Sequence, residues 1–94
     1  MRVEYSKRAV ADLRQIAAYY NRSGNPALAE RVAARIQEVV ARIAEFPVSG
    51  RAVPQRPGVR VVPLLSYRYK IFYRVIRDSV LIVHIRHTSR RPYD

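Results

Sequence analysis

The segment VHIRHTSRRPYD, from Val83 to Asp94, brings together two histidines, three arginines and a tyrosine. Cutting RNA through its own 2′-hydroxyl needs a base, positive charge where the phosphorane develops, and an acid for the leaving oxygen. These residue types can supply all three. They can equally form a cationic surface that docks on something acidic. His84 and His87 are the only histidines, and strand alternation sends them to opposite faces, so they do not form a base/acid pair. His87, at the end of an apolar strand beside Arg90, Arg91 and Tyr93, is the better proton-transfer candidate, while His84 reads as outer-face surface. Against His87 stands simple packing at a strand end, because one histidine does not make a general base. No carboxylate accompanies either histidine: Glu45 and Asp78 fall at a helix end and in a turn.

Charge widens the question. Eighteen Lys+Arg against seven Asp+Glu give +11 at pH 7, and a field of that sign attracts nucleic acid, the ribosome or an acidic protein. Lys7 and Lys70 are the only lysines. The positive charge is therefore almost all guanidinium, which suits bidentate recognition of phosphate or carboxylate, although a bias toward arginine codons gives the same composition. Without cysteine there is no disulfide scaffold, thiol nucleophile or zinc ribbon. A glycine-rich phosphate loop, metal-ligand spacing and a Ser/His/Asp set are also missing, so neither cofactor nor metal is expected. The start, MRVEYSKR, lacks a signal-peptide core, and Arg or Lys breaks every apolar run before the roughly 18 residues of a membrane span. A soluble, cytoplasmic protein without membrane contact is expected.

The elements that must position these groups follow from the pattern. At this length, without linkers or repeats, residues 1–94 form a single domain. RVEY is a short opening strand. From Ser6, a plausible N-cap, Val10, Leu13, Ile16, Ala17 and Tyr20 make one helix face, broken by NRSGN. Asn25-Pro26 starts a longer helix, with Leu28, Val32, Ile36, Val39, Val40 and Ile43 inward and Arg31, Arg35, Glu38, Arg42 and Glu45 outward; Pro47 stops it. The short connection makes the two helices an antiparallel hairpin.

Beyond FPVSGR and AVPQRPG the period becomes two. Tyr67, Tyr69, Ile71, Tyr73 and Val75 alternate with Arg68, Lys70, Phe72 and Arg74, and the tyrosines are expected in the core rather than on an RNA-stacking face. In the next strand Leu81, Val83 and Ile85 alternate with Ile82, His84 and Arg86. Matching the apolar sets pairs Val75 with Leu81, Tyr73 with Val83, Ile71 with Ile85 and Lys70 with Arg86, leaving Arg77, Asp78 and Ser79 as the turn. The class is α+β: an N-terminal strand, then a helical hairpin packed on a small, mainly antiparallel sheet, in the order β-α-α-β-β-β.

That order, with P-x-x-G-R at Pro47, Gly50 and Arg51, then YRYKIFYRV and VLIVHIRHTSRR, resembles the RelE/ParE family of bacterial toxins over nearly the whole chain. The resemblance implies the toxin half of a type II toxin–antitoxin pair, of the kind linked to plasmid stabilization, neutralised by a cognate antitoxin. RelE-like members cut messenger RNA on the ribosome, whereas ParE-like members act on DNA gyrase without a nuclease site. In a nuclease, Arg60, His87 and Tyr93 would be the catalytic candidates. The tail is longer than the H-x-x-R-D ending of many ParE-like chains, although Arg90 fits that pattern. With so few proton-transfer groups, the ParE-like reading is preferred: Arg68, Arg74, Arg86, Arg90 and Arg91 contact the target, and Arg31, Arg35 and Arg42 meet an acidic, ParD-like antitoxin. Ribosome-dependent mRNA cleavage is the alternative, followed by a non-toxic nucleic-acid-binding module.

Overall fold

Ser6 marks where the opening strand turns into helix. Its hydroxyl accepts the Ala9 N–H at 3.0 Å, satisfying one of the amide donors left orphaned in a first helical turn. The computed structural model describes residues 1–88. In chain order the elements are β1 (Arg2–Tyr5), α1 (Lys7–Arg22), α2 (Pro26–Glu45), β2 (Arg51–Ala52), β3 (Arg60–Pro63), β4 (Tyr69–Ile76) and β5 (Ser79–His87). The expected helices form close to the expected bounds. Proline at the first position of α2 fixes its start, and the Asn25 side chain makes no capping bond. Neither helix is long and apolar enough to cross a membrane.

The five strands make one sheet in the order β1-β5-β4-β3-β2. All pairings are antiparallel except that of β1 with β5, which is parallel, with Arg2 opposite Ser79 and Tyr5 opposite Ile82. Four strands follow the helices where three were expected; the additional one, β2, has two residues. Both helices cover one face. Val32, Ile36, Val40 and Ile43 of α2 and Ala9 and Ile16 of α1 pack on Ile71, Tyr73, Val80, Ile82 and Ile85 of the sheet. Each large apolar side chain buried this way contributes about 1.5–3 kcal/mol. Ala17, expected on the inner face of α1, is exposed, and Ala9 and Asp12 lie inward instead.

The β4/β5 register matches expectation on one side of a bulge and not on the other. Lys70 faces Arg86 and Ile71 faces Ile85, but between Phe72 and Tyr73 the register shifts. Phe72 faces His84 while Tyr73 faces Ile82, which leaves Val83 as the extra residue. Consequently Tyr73 pairs with Ile82 rather than Val83, and Val75 with Val80 rather than Leu81. Ile82, assigned by strict alternation to the outer face, is completely buried. The turn shrinks to Arg77 and Asp78, with Arg77 at φ 56° and Ser79 already paired with Ile76; a two-residue hairpin favours such a left-handed first position.

Tyr73 explains the P-x-x-G-R turn. Its ring is fully buried, and its hydroxyl donates to the Pro47 carbonyl at 2.8 Å and accepts the Gly50 N–H at 2.9 Å. A Cβ on Gly50 would lie 2.5 Å from that hydroxyl, so only glycine lets the backbone come this close. Arg60, opposite Tyr73, donates to the Gly50 carbonyl at 2.8 Å and holds the same turn from its other side. Tyr73→Phe should therefore cost about 1–3 kcal/mol, the range for leaving a buried polar group unpaired. Gly50→Ala should lower the melting temperature further by displacing the ring, and thermal melts of both variants check this.

Candidate functional site

Beyond Tyr5 the chain turns into α1, yet β5 runs on past Ile82 with its edge groups still to be satisfied. Ser6 takes the first of them. Its N–H donates to the Ile82 carbonyl and its hydroxyl to the Val83 carbonyl, both at 2.9 Å. Asp12, one and a half turns into α1, takes the next: its Oδ2 accepts the Ile85 N–H at 2.9 Å and lies 2.6 Å from His84 Nδ1. Both side chains of this carboxylate–imidazole pair are about 10% exposed. Arg8 completes the group, with Nε 3.6 Å from Asp12 Oδ1 and Nη2 3.4 Å from His84 Nε2. Guanidinium can only donate, so His84 Nε2 accepts and Nδ1 carries the hydrogen given to Asp12. The bulge at Val83 turns His84 away from the helix-covered core.

On the sheet face opposite the helices, His84 borders an open cleft of about 820 Å³. Arg8 stands at one end, Lys70 and Arg86 on the floor, and Arg51 and Arg56 at the far end, with no carboxylate among the described residues that line it. Phe72 is 8% exposed because His84 stacks on its ring at 5.8 Å and the Arg86 guanidinium lies over it at 5.3 Å. The arrangement sets a fixed imidazole beside five cationic groups. Among the described residues no three His, Cys, Asp or Glu side chains gather as a metal would require.

Residues 3–92 match the family model described as ParE toxin of the type II toxin–antitoxin system parDE. The chain belongs to the ParE toxin family. A relative in Sinorhizobium fredii, named "Putative toxin Y4kP", is 37% identical to this ParE-family chain over 91 residues, covering 96% of the chain and 91% of the relative. Among solved structures, the chromosomal ParDE toxin–antitoxin system of P. aeruginosa superposes with a TM-score of 0.82 at 25% identity, covering 95% of this chain and 97% of that one. The isolated E. coli RelE toxin superposes at 0.66 with 16% identity, covering 98% and 88%, and shares the fold. This α+β toxin fold is therefore common to both branches.

Several residues singled out in the sequence lie elsewhere in the ParE-family structure than expected. His84, expected on the surface, is buried, and it does have a carboxylate companion, from a helix 72 residues earlier. Arg86, expected to be exposed, is 6% exposed. His87 sits on the helix side of the sheet, edge-on to Tyr69 at 5.3 Å. Arg60 lies two strands away and four residues along, about 16 Å distant by ordinary sheet spacings, and is engaged by loop carbonyls. These two nuclease candidates do not meet, and Tyr93, Arg90 and Arg91 lie outside the described residues. Arg68 is exposed just before β4, and Arg74 reaches the Pro57 carbonyl at 3.4 Å.

The helix-face arginines lie on α2, away from the cleft. Arg31 is exposed, Arg35 bonds the Leu64 carbonyl and Glu38, and Arg42 lies over Phe46. Asp12 is the residue of this group that pattern reading passed over. Its signal was present: an acid among Ala9, Leu13 and Ile16 interrupts an otherwise apolar face. Asp12→Ala should cost about 2–4 kcal/mol, because it removes a charge-assisted acceptor and orphans the buried Ile85 amide. Asp12→Asn, which can still accept from Ile85, should lose less, and exposed Arg14→Ala about 0.5 kcal/mol or less; urea unfolding midpoints read all three.

Proposed function

We propose that this ParE-family toxin arrests growth by binding DNA gyrase rather than by cutting RNA. An acidic, ParD-like antitoxin would neutralise it by lying along the Arg31, Arg35 and Arg42 side of the helical hairpin. The observation that carries this reading is the dispersal of the nuclease candidates: Arg60 braces the Pro47–Gly50 turn, while His87 lies on Tyr69 about 16 Å away. The family match to ParE supports it as well. In this reading Arg68, Arg74 and Arg86 contact the target, together with Arg90 and Arg91, which lie outside the described residues. Both partners place the protein in the cytoplasm. Expressed alone, the chain should stop growth, and co-expression of a short acidic antitoxin should restore it. The purified toxin should inhibit DNA supercoiling by gyrase and leave messenger RNA intact in a translating extract. A toxic chain that spares gyrase would end this reading.

One observation favours ribosome-dependent mRNA cleavage as the second reading. His84, held in a defined tautomer by Asp12 beside Arg8, is a proton-transfer group among cations. In that case RNA cleavage in the extract should disappear with His84→Ala and persist with His87→Ala.

A further inference from the structure

We propose that the cationic cleft holds a single strand of nucleic acid by its phosphates, irrespective of the sugar. This goes beyond the choice of gyrase or ribosome as target. Among the described residues the lining carries Arg8, Arg51, Arg56, Lys70 and Arg86 and no carboxylate. Lys70 and Arg86 are direct cross-strand neighbours, which sets two positive charges side by side on the floor of the cleft. Arg8 is anchored at the β5 edge by Asp12 and His84, so its guanidinium is positioned before any ligand arrives. The cations thus run from that edge over β5 and β4 to Arg51 in β2, with Val61 as the β3 residue between them.

Three strand spacings make that path about 14 Å long. A stacked strand carries a phosphate about every 3.4 Å, so three or four phosphates fall within reach of the row. The aromatic in the cleft offers no platform for a base, because His84 and Arg86 cover Phe72. Recognition then rests on phosphate, unlike single-strand grooves that stack bases on exposed rings. A cleft of about 820 Å³ admits a few nucleotides of one strand, whereas a duplex presents two strands on a convex surface. Neither a 2′-hydroxyl nor a base edge meets a dedicated partner, so DNA and RNA strands should bind alike.

The test uses the purified full-length chain and fluorescently labelled oligo(dT) and oligo(U) eight nucleotides long. Fluorescence anisotropy should give saturable binding to both, equal within about threefold, with log K falling against log salt at a slope of about −2 to −3 for three or four phosphates. Arg51→Ala and Lys70→Ala, which touch none of the Asp12 bonds, should each weaken binding about fivefold or more and flatten the slope by about 0.7. Arg8→Ala should do the same. Arg2→Ala and Arg14→Ala remove the same charge from exposed positions outside the cleft and should change binding less than twofold; thermal melts confirm folding of every variant. Oligo(dT) lacks the hydroxyl that cleavage requires, so its binding is read independently of the nuclease and gyrase readings. Absence of saturable binding overturns the proposal. So does equal weakening by the Arg2 and Arg14 variants, which makes bulk charge the agent. A tenfold preference for RNA, or a duplex bound as tightly as a strand, overturns it too.

Discussion

One carboxylate holds the working half of this molecule in place. Strand β5 lies between β1 and β4, but β1 accompanies it only as far as Ile82. From there β4 still pairs with one side of it, but the groups on the side that β1 has left need other partners, because buried amides are rarely left unpaired. Asp12 meets the demand from within a helix by accepting the Ile85 N–H. Because the same oxygen also accepts from His84, and Arg8 packs against both, completing the sheet edge and building the corner of the cleft are one act. The buried acid is matched by three polar neighbours rather than one, the condition under which burying a charge is tolerable.

The bulge at Val83 is the second half of that arrangement. Without it, one alternation would run from Val80 to His87, and His84 would take the face opposite to the one it has relative to Ile82. With it, Val80, Ile82 and Ile85 all enter the core while His84 and Arg86 line the other face with Lys70 and Phe72. A local irregularity in one strand thereby separates packing from chemistry along nine residues. The fold, shared with ParDE and RelE toxins, supplies the scaffold, and a scaffold by itself does not set function.

The sequence made most of this architecture legible. The helices were set by strong local chemistry, namely a serine cap, a proline at the first position of α2 and a proline past its end. The pairing of Ile71 with Ile85 and Lys70 with Arg86 followed from matching apolar faces. What failed was whatever depended on one inserted residue or on a distant partner. A bulge leaves no mark in a run as uniformly apolar as Val80–Val83, so Ile82 was placed outside. Asp12 and His84 are 72 residues apart, and no spacing rule links them. Arg86 looked exposed because alternation puts it on the outer face; it is buried there, with its guanidinium over the Phe72 ring, a contact that stem and guanidinium plane both favour. The tyrosines were placed correctly because their alternation shared the phase of Ile71.

The parallel pairing of Arg2–Tyr5 with Ser79–Ile82 also sets when the molecule can exist. Closing that pairing brings together segments 77 residues apart, among the most costly contacts for a folding chain to form early. Since β5 is the last of the described elements and sits between β1 and β4, a nascent chain that has made everything before it owns a helical hairpin and a small β-ribbon, but no continuous sheet. His84 and Arg86 belong to that same late strand. An interrupted translation product therefore lacks both the fold and the cationic face, and the architecture confines activity to chains whose synthesis has reached β5.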